Sequence, residues 1–80
     1  MMKKLLLYGR PDCHLCQDME AELRRLQPEA GFRLEVYDVD RDPAWAERYG
    51  RWVPVLEAEG REICHYFLDL VALQRYLQGP

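Results

Sequence analysis

No apolar run in this chain is long enough to cross a membrane. A spanning helix needs roughly 18 such residues. The stretch Leu5-Leu6-Leu7-Tyr8 breaks at Gly9-Arg10-Pro11-Asp12. Lys3-Lys4 ahead of it resembles the start of an export signal, but such a signal carries about 7–15 apolar residues at its centre. No membrane association and a cytoplasmic location are therefore expected. A block of basic charge is also missing: Arg24-Arg25 is flanked by Glu20, Glu22 and Glu29, and the formal net charge is −3. That balance argues against a nucleic-acid partner. The three cysteines do not make the even set of a small secreted disulfide framework. Internal repeats, linkers and low-complexity tracts are absent. A length of 80 residues suits one domain, residues 1–80, with a modest core, and a monomer is expected.

What the chain does have is concentrated in Tyr8-Gly9-Arg10-Pro11-Asp12-Cys13-His14-Leu15-Cys16. A strand-like run stops at a turn, two cysteines follow at i and i+3, and a helical pattern begins beneath them. Leu15, Met19, Leu23 and Leu26 form one apolar stripe from about His14 to Gln27. Pro28 and Gly31 are expected to end that helix.

The flanking elements follow from pattern and punctuation. Lys3 to Tyr8 reads as a strand, and its continuous apolar run Leu5-Leu6-Leu7-Tyr8 suits a central strand covered on both faces. Phe32 to Val39 alternates Leu34 and Val36 with Arg33 and Glu35, as a strand does. A strand, helix and strand in succession predict a parallel pair with a right-handed crossover. Asp42 suits a helix N-cap, Pro43 the first helical position and Gly50 the end of a short helix from Pro43 to Tyr49. Val53 to Ala58 and Arg61 to Tyr66 read as a hairpin around Glu59-Gly60. Asp69 then caps a last helix with Leu70, Leu73, Tyr76 and Leu77 on one face. The order is β-α-β-α-β-β-α.

That order resembles the thioredoxin fold, and within it the glutaredoxins and small bacterial glutaredoxin-like proteins. The residues that carry the likeness are Leu7 to Cys16, Val39-Asp40, Arg51-Trp52-Val53-Pro54-Val55-Leu56, the Gly60 turn and Leu68-Asp69. The resemblance implies an α/β fold with a four-stranded mixed sheet in order 2-1-3-4. It places the first and third helices on one face and the second on the other. It also implies a cis Val53-Pro54 bond facing the cysteines, with the Val53 backbone free to pair with a peptide or glutathione. The chain departs from the glutathione-using glutaredoxins before the last helix. They carry Gly-Gly there, and this sequence has His65-Tyr66-Phe67-Leu68-Asp69.

Disulfide exchange needs a thiolate, and a free cysteine of pKa about 8.5 supplies little at neutral pH. A sulfur at a helix start faces unpaired N–H groups and the positive end of the helix dipole, and both favour the anion. Cys13 is thus the expected nucleophile and Cys16, one turn on, the resolving thiol. Arg10, and His14 when protonated, add positive charge; Asp12 opposes it. Val53, Pro54, Arg10, Trp52 and Asp69 are candidate substrate-binding residues, Asp69 toward an amino group or as a plain cap. Tyr8 is expected to pack beneath the turn or to touch a substrate, and Trp45 and Cys64 to pack in the core.

The expected activity is reduction of protein or low-molecular-weight disulfides through a mixed disulfide. No bound cofactor is expected, only electrons from glutathione or a thioredoxin-reductase-like donor. The alternative is a non-enzymatic binding module on the same fold, holding a metal or an iron–sulfur cluster, or acting as an adaptor. A tetrahedral zinc site is awkward, because Cys64 and His65 are adjacent on a strand and point to opposite faces.

Overall fold

The computed structural model describes residues 2–79. Its elements are β1 (Lys4–Gly9), α1 (His14–Ala30), β2 (Arg33–Asp38), a 3-10 turn (Val39–Arg41), α2 (Pro43–Tyr49), β3 (Val55–Ala58), β4 (Arg61–His65) and α3 (Leu70–Gln78). The four strands form one sheet in order β2-β1-β3-β4. β1 and β2 are parallel, with Leu5 opposite Leu34 and Leu7 opposite Val36. β3 runs antiparallel to both β1 and β4. This is the thioredoxin-like arrangement that the sequence resemblance implies.

β1 is central, and its alternation feeds two cores. Leu5 and Leu7 join Met19 and Leu23 of α1 and Leu73 of α3 in one buried cluster. Tyr8 joins Val39, Tyr49 and Val55 in a second, with Leu6, Tyr37 and Trp45 packed against it. Helices α1 and α3 therefore cover one face and α2 the other. A strand covered on both sides has no polar face, which is why β1 reads as a continuous apolar run.

The hairpin turn has positive φ at both Glu59 (54°) and Gly60 (77°), the twist-compatible geometry of a two-residue connection. Three expectations are corrected. Pro28 does not end α1, which runs on to Ala30 and closes at Gly31 in the left-handed conformation, φ 72°. In the last turn a proline forfeits only one intrahelical N–H bond, and the Gly31 N–H still reaches the Gln27 carbonyl at 2.9 Å. β3 begins at Val55, so Pro54 precedes the ladder and removes no ladder bond from it. Leu70, expected on the buried face of α3, is 45% exposed; it is the first residue of the helix, and the buried contact begins at Leu73.

Candidate active site

The loop Arg10 to Asp12 carries the chain from the end of β1 to the start of α1. The Cys13 N–H donates to the Arg10 carbonyl at 3.2 Å, and the Gln17 side-chain amide donates to the Pro11 carbonyl at 2.7 Å. Cys13 is the N-cap of α1: its backbone is extended, and its sulfur accepts a hydrogen bond from the Cys16 N–H at 3.1 Å. Cys13 and Cys16 are joined as a disulfide, with Cα atoms 5.2 Å apart. Cys13 is half-buried, whereas Cys16 is 6% exposed. The first cysteine is partly open to solvent and the second is buried.

Gly9 makes that arrangement fit: the sequence pattern places it in the turn, and the structure makes it the last residue of β1. A Cβ on Gly9 would lie 2.9 Å from the Cys16 sulfur and 3.0 Å from its Cβ. The sequence signal was a glycine at the start of that turn, but the close approach depends on how α1 packs on β1.

The other candidates divide into two groups. Val53 and Pro54 are joined by a cis peptide bond. The Pro54 carbonyl accepts the Tyr66 N–H at 2.9 Å, which fastens the start of β3 to the turn after β4. Trp52 is exposed, with its ring 5.3 Å from His65 and 6.1 Å from Tyr66. The His65 ring nitrogen Nδ1 pairs with Glu62 at 2.8 Å. Arg10 turns toward α2: its Nε donates to Asp40 at 3.0 Å and its Nη1 to the Gly50 carbonyl at 2.9 Å. Its guanidinium therefore braces the Arg10–Asp12 loop against the end of α2. Arg10 also lines, with Cys16 and Gln17, a cavity of about 250 Å³. Asp69 caps α3, accepting the Ala72 N–H at 3.0 Å.

Cys64, Tyr8 and Tyr49 have packing roles, whereas His14 is exposed. Cys64 is buried in the α1–α3 core, and desolvation pushes its thiol pKa up. Tyr8 stacks on Tyr49 at 4.1 Å between centroids. Tyr49 donates to the buried Glu57 carboxylate at 2.7 Å, and burial, then that bond, raises its phenol pKa. His14 lies 3.3 Å from Asp18. Among the described residues no three His, Cys, Asp or Glu side chains converge as a metal-ligand set.

Residues 4–78 match the model of the family described as Glutaredoxin-like domain (DUF836). The chain belongs to this glutaredoxin-like family. Among solved structures it is similar to protein Ne2328 from Nitrosomonas europaea, at 45% identity and a TM-score of 0.88, over 98% of this chain and 94% of that one. It is similar to protein XcR50 from X. campestris at 33% identity and a TM-score of 0.74, over 95% of this chain and 99% of that one. Thioredoxin 1 from Thermosipho africanus TCF52B, at 19% identity and a TM-score of 0.64 over 94% of each chain, shares the fold. No curated protein matches the chain. The glutaredoxin-like fold with its Cys13–Cys16 pair is consistent with a thiol redox function.

Proposed function

We propose that this glutaredoxin-like chain is a dithiol–disulfide oxidoreductase acting on protein or low-molecular-weight disulfides. The observation that carries this reading is the hydrogen bond from the Cys16 N–H to the Cys13 sulfur at the start of α1. A backbone donor aimed at a sulfur on the positive end of a helix dipole stabilises the thiolate over the thiol. In the reduced protein the Cys13 thiolate attacks one sulfur of the partner disulfide. A Cys13–partner bond forms, the partner's own S–S bond breaks, and its first thiolate leaves. Cys16 gives up its proton and attacks the Cys13 sulfur. The mixed bond breaks, the Cys13–Cys16 disulfide forms, and the second partner thiolate leaves. Two electrons pass from the dithiol to the partner. Glutathione or a thioredoxin-reductase-like donor returns them, and no bound cofactor takes part.

Val53, Pro54, Trp52, Arg10 and Asp69 are the proposed substrate contacts. The Val53 N–H and carbonyl make no backbone hydrogen bond among the described residues, which supports pairing there with an extended partner. A cytoplasmic monomer is the setting proposed for this activity.

The test is trapping. Cys16→Ser should accumulate a mixed disulfide on Cys13 when mixed with a peptide disulfide, seen by intact mass. Cys13→Ser should trap nothing and lose reductase activity. Full activity in Cys13→Ser with loss in Cys16→Ser would reverse the roles. Stoichiometric metal in the purified protein, with no reversible loss of two thiols, would favour the binding-module alternative.

A further inference from the structure

The turn after β4 places an aromatic residue where few are tolerated. Tyr66 holds φ at 64°, and the Phe67 N–H donates to the His65 carbonyl at 2.7 Å. Tyr66 is thus the centre of a γ-turn of the rare positive-φ kind. A bulky residue persists there only where its surroundings over-determine it. Two hydrogen bonds do so: its N–H to the Pro54 carbonyl and its hydroxyl to the Arg51 carbonyl, 2.9 Å.

The consequence falls on the next residue. Phe67 is 69% exposed, more than any other large apolar side chain among the described residues. It lines a cavity of about 200 Å³ with Leu15 and Met19 of α1 and with Leu68. Leu15 stands between the two cysteines in sequence, so one wall of the cavity belongs to the Cys13–Cys16 segment itself. Asp18 and Glu22 line it as well, each paired with a neighbour on α1, Asp18 with His14 and Glu22 with Arg25, so its rim is polar while its floor is apolar. An apolar recess with a polar, already paired rim suits an apolar side chain, which gains by leaving water there.

We propose that Phe67 determines specificity: it selects polypeptide disulfides whose reactive cysteine is flanked by an apolar side chain, which covers the Phe67 ring and enters the recess beside Leu15. This role rests on the dithiol chemistry proposed above. It names the substrate class of that same site.

The experiment uses the full chain, prereduced, and two synthetic disulfide peptides that differ only in Leu or Ser beside the reactive cysteine. Second-order rate constants are measured for each. The Leu peptide should react about tenfold faster than the Ser peptide, in keeping with burial of most of one aliphatic side chain. Phe67→Ser should bring the ratio to within about twofold of one, and Phe67→Leu should keep most of it, since an apolar cover remains. Equal rates for the two peptides with the unaltered chain overturn the role, and so does an unchanged ratio in Phe67→Ser. Failure of the chemistry itself looks different: the unaltered chain then reduces neither peptide, and both readings fall.

Discussion

Among the described residues, the three α-helices begin in the same way with different atoms. At α2 the Asp42 carboxylate accepts the Ala44 N–H at 2.9 Å. At α3 the Asp69 carboxylate accepts the Ala72 N–H at 3.0 Å. At α1 the acceptor is the Cys13 sulfur, 3.1 Å from the Cys16 nitrogen. The chain contains no Ser, Thr or Asn, so Asp is the one strong N-cap residue type it uses. Sulfur is a weaker acceptor than a carboxylate. The longest helix thus carries the poorest cap, at the place where the reactive sulfur sits. Unpaired N–H groups that serve only stability at α2 would, in the proposed chemistry, stabilise the Cys13 thiolate at α1, so that one kind of helix terminus does structural or chemical work according to the atom set before it.

Exchanging the caps should break the comparison most sharply. Cys13→Asp gives α1 a carboxylate cap. In reductant it should unfold at higher denaturant than the reduced parent, by about 1 kcal/mol, while disulfide reduction is abolished. Asp42→Ala is the converse: it should lower stability by about 1 kcal/mol and leave reduction intact. Denaturant midpoints and a peptide-disulfide assay read both. If Cys13→Asp is no more stable than the reduced parent, the sulfur already caps as well as a carboxylate and the trade is absent.

The cap at α2 was fully legible in the sequence, because Asp42, Pro43 and Gly50 are local punctuation; the helix runs from Pro43 to Tyr49 as expected. The Cys13–Cys16 spacing and the capping role of Asp69 were legible for the same reason. The sheet order came from resemblance, since pattern alone cannot rank strands. What stayed hidden depends on tertiary contact. Val36 alternates like a buried residue, yet it is 42% exposed. β2 is an edge strand, and this end of it borders the cavity beside Cys16. Tyr66 reads as the last residue of a strand; its bonds to the Pro54 and Arg51 carbonyls turn it into a γ-turn instead. Arg10 reads as positive charge for the thiolate, and its engagement with Asp40 and Gly50 could not be seen without the fold.

The approach to α1 differs from the other two in a second respect, and a methyl group tests it. β1 delivers Gly9 against the Cys16 side chain, where a Cβ would stand 2.9 Å from the sulfur. Gly9→Ala must push α1 away from β1 or twist Cys16 out of place. The expected cost is about 1–3 kcal/mol, as for overpacking in a tight core, read by denaturant unfolding of the oxidised protein. Closure of the Cys13–Cys16 disulfide from the mixed disulfide should slow with it. An unchanged midpoint would mean that the start of α1 yields freely and that the close approach constrains nothing.

The smallest effect separates the two carboxylate caps from each other. Asn caps a helix about as well as Asp, so Asp42→Asn and Asp69→Asn keep the hydrogen bond and lose only the charge. Each should cost about 0.3–1 kcal/mol at low ionic strength through the helix dipole. That cost should shrink as salt is added, because both caps are near the surface and screened. Stability alone therefore treats the pair alike. Asp69 differs in its proposed contact with a substrate amino group. If it makes that contact, KM for oxidised glutathione should rise several-fold in Asp69→Asn with kcat little changed, and stay at the parent value in Asp42→Asn. Equal KM values in the two variants would leave Asp69 with its cap alone. Cys13 would then be the one helix start in this fold at which the amide cluster meets a partner.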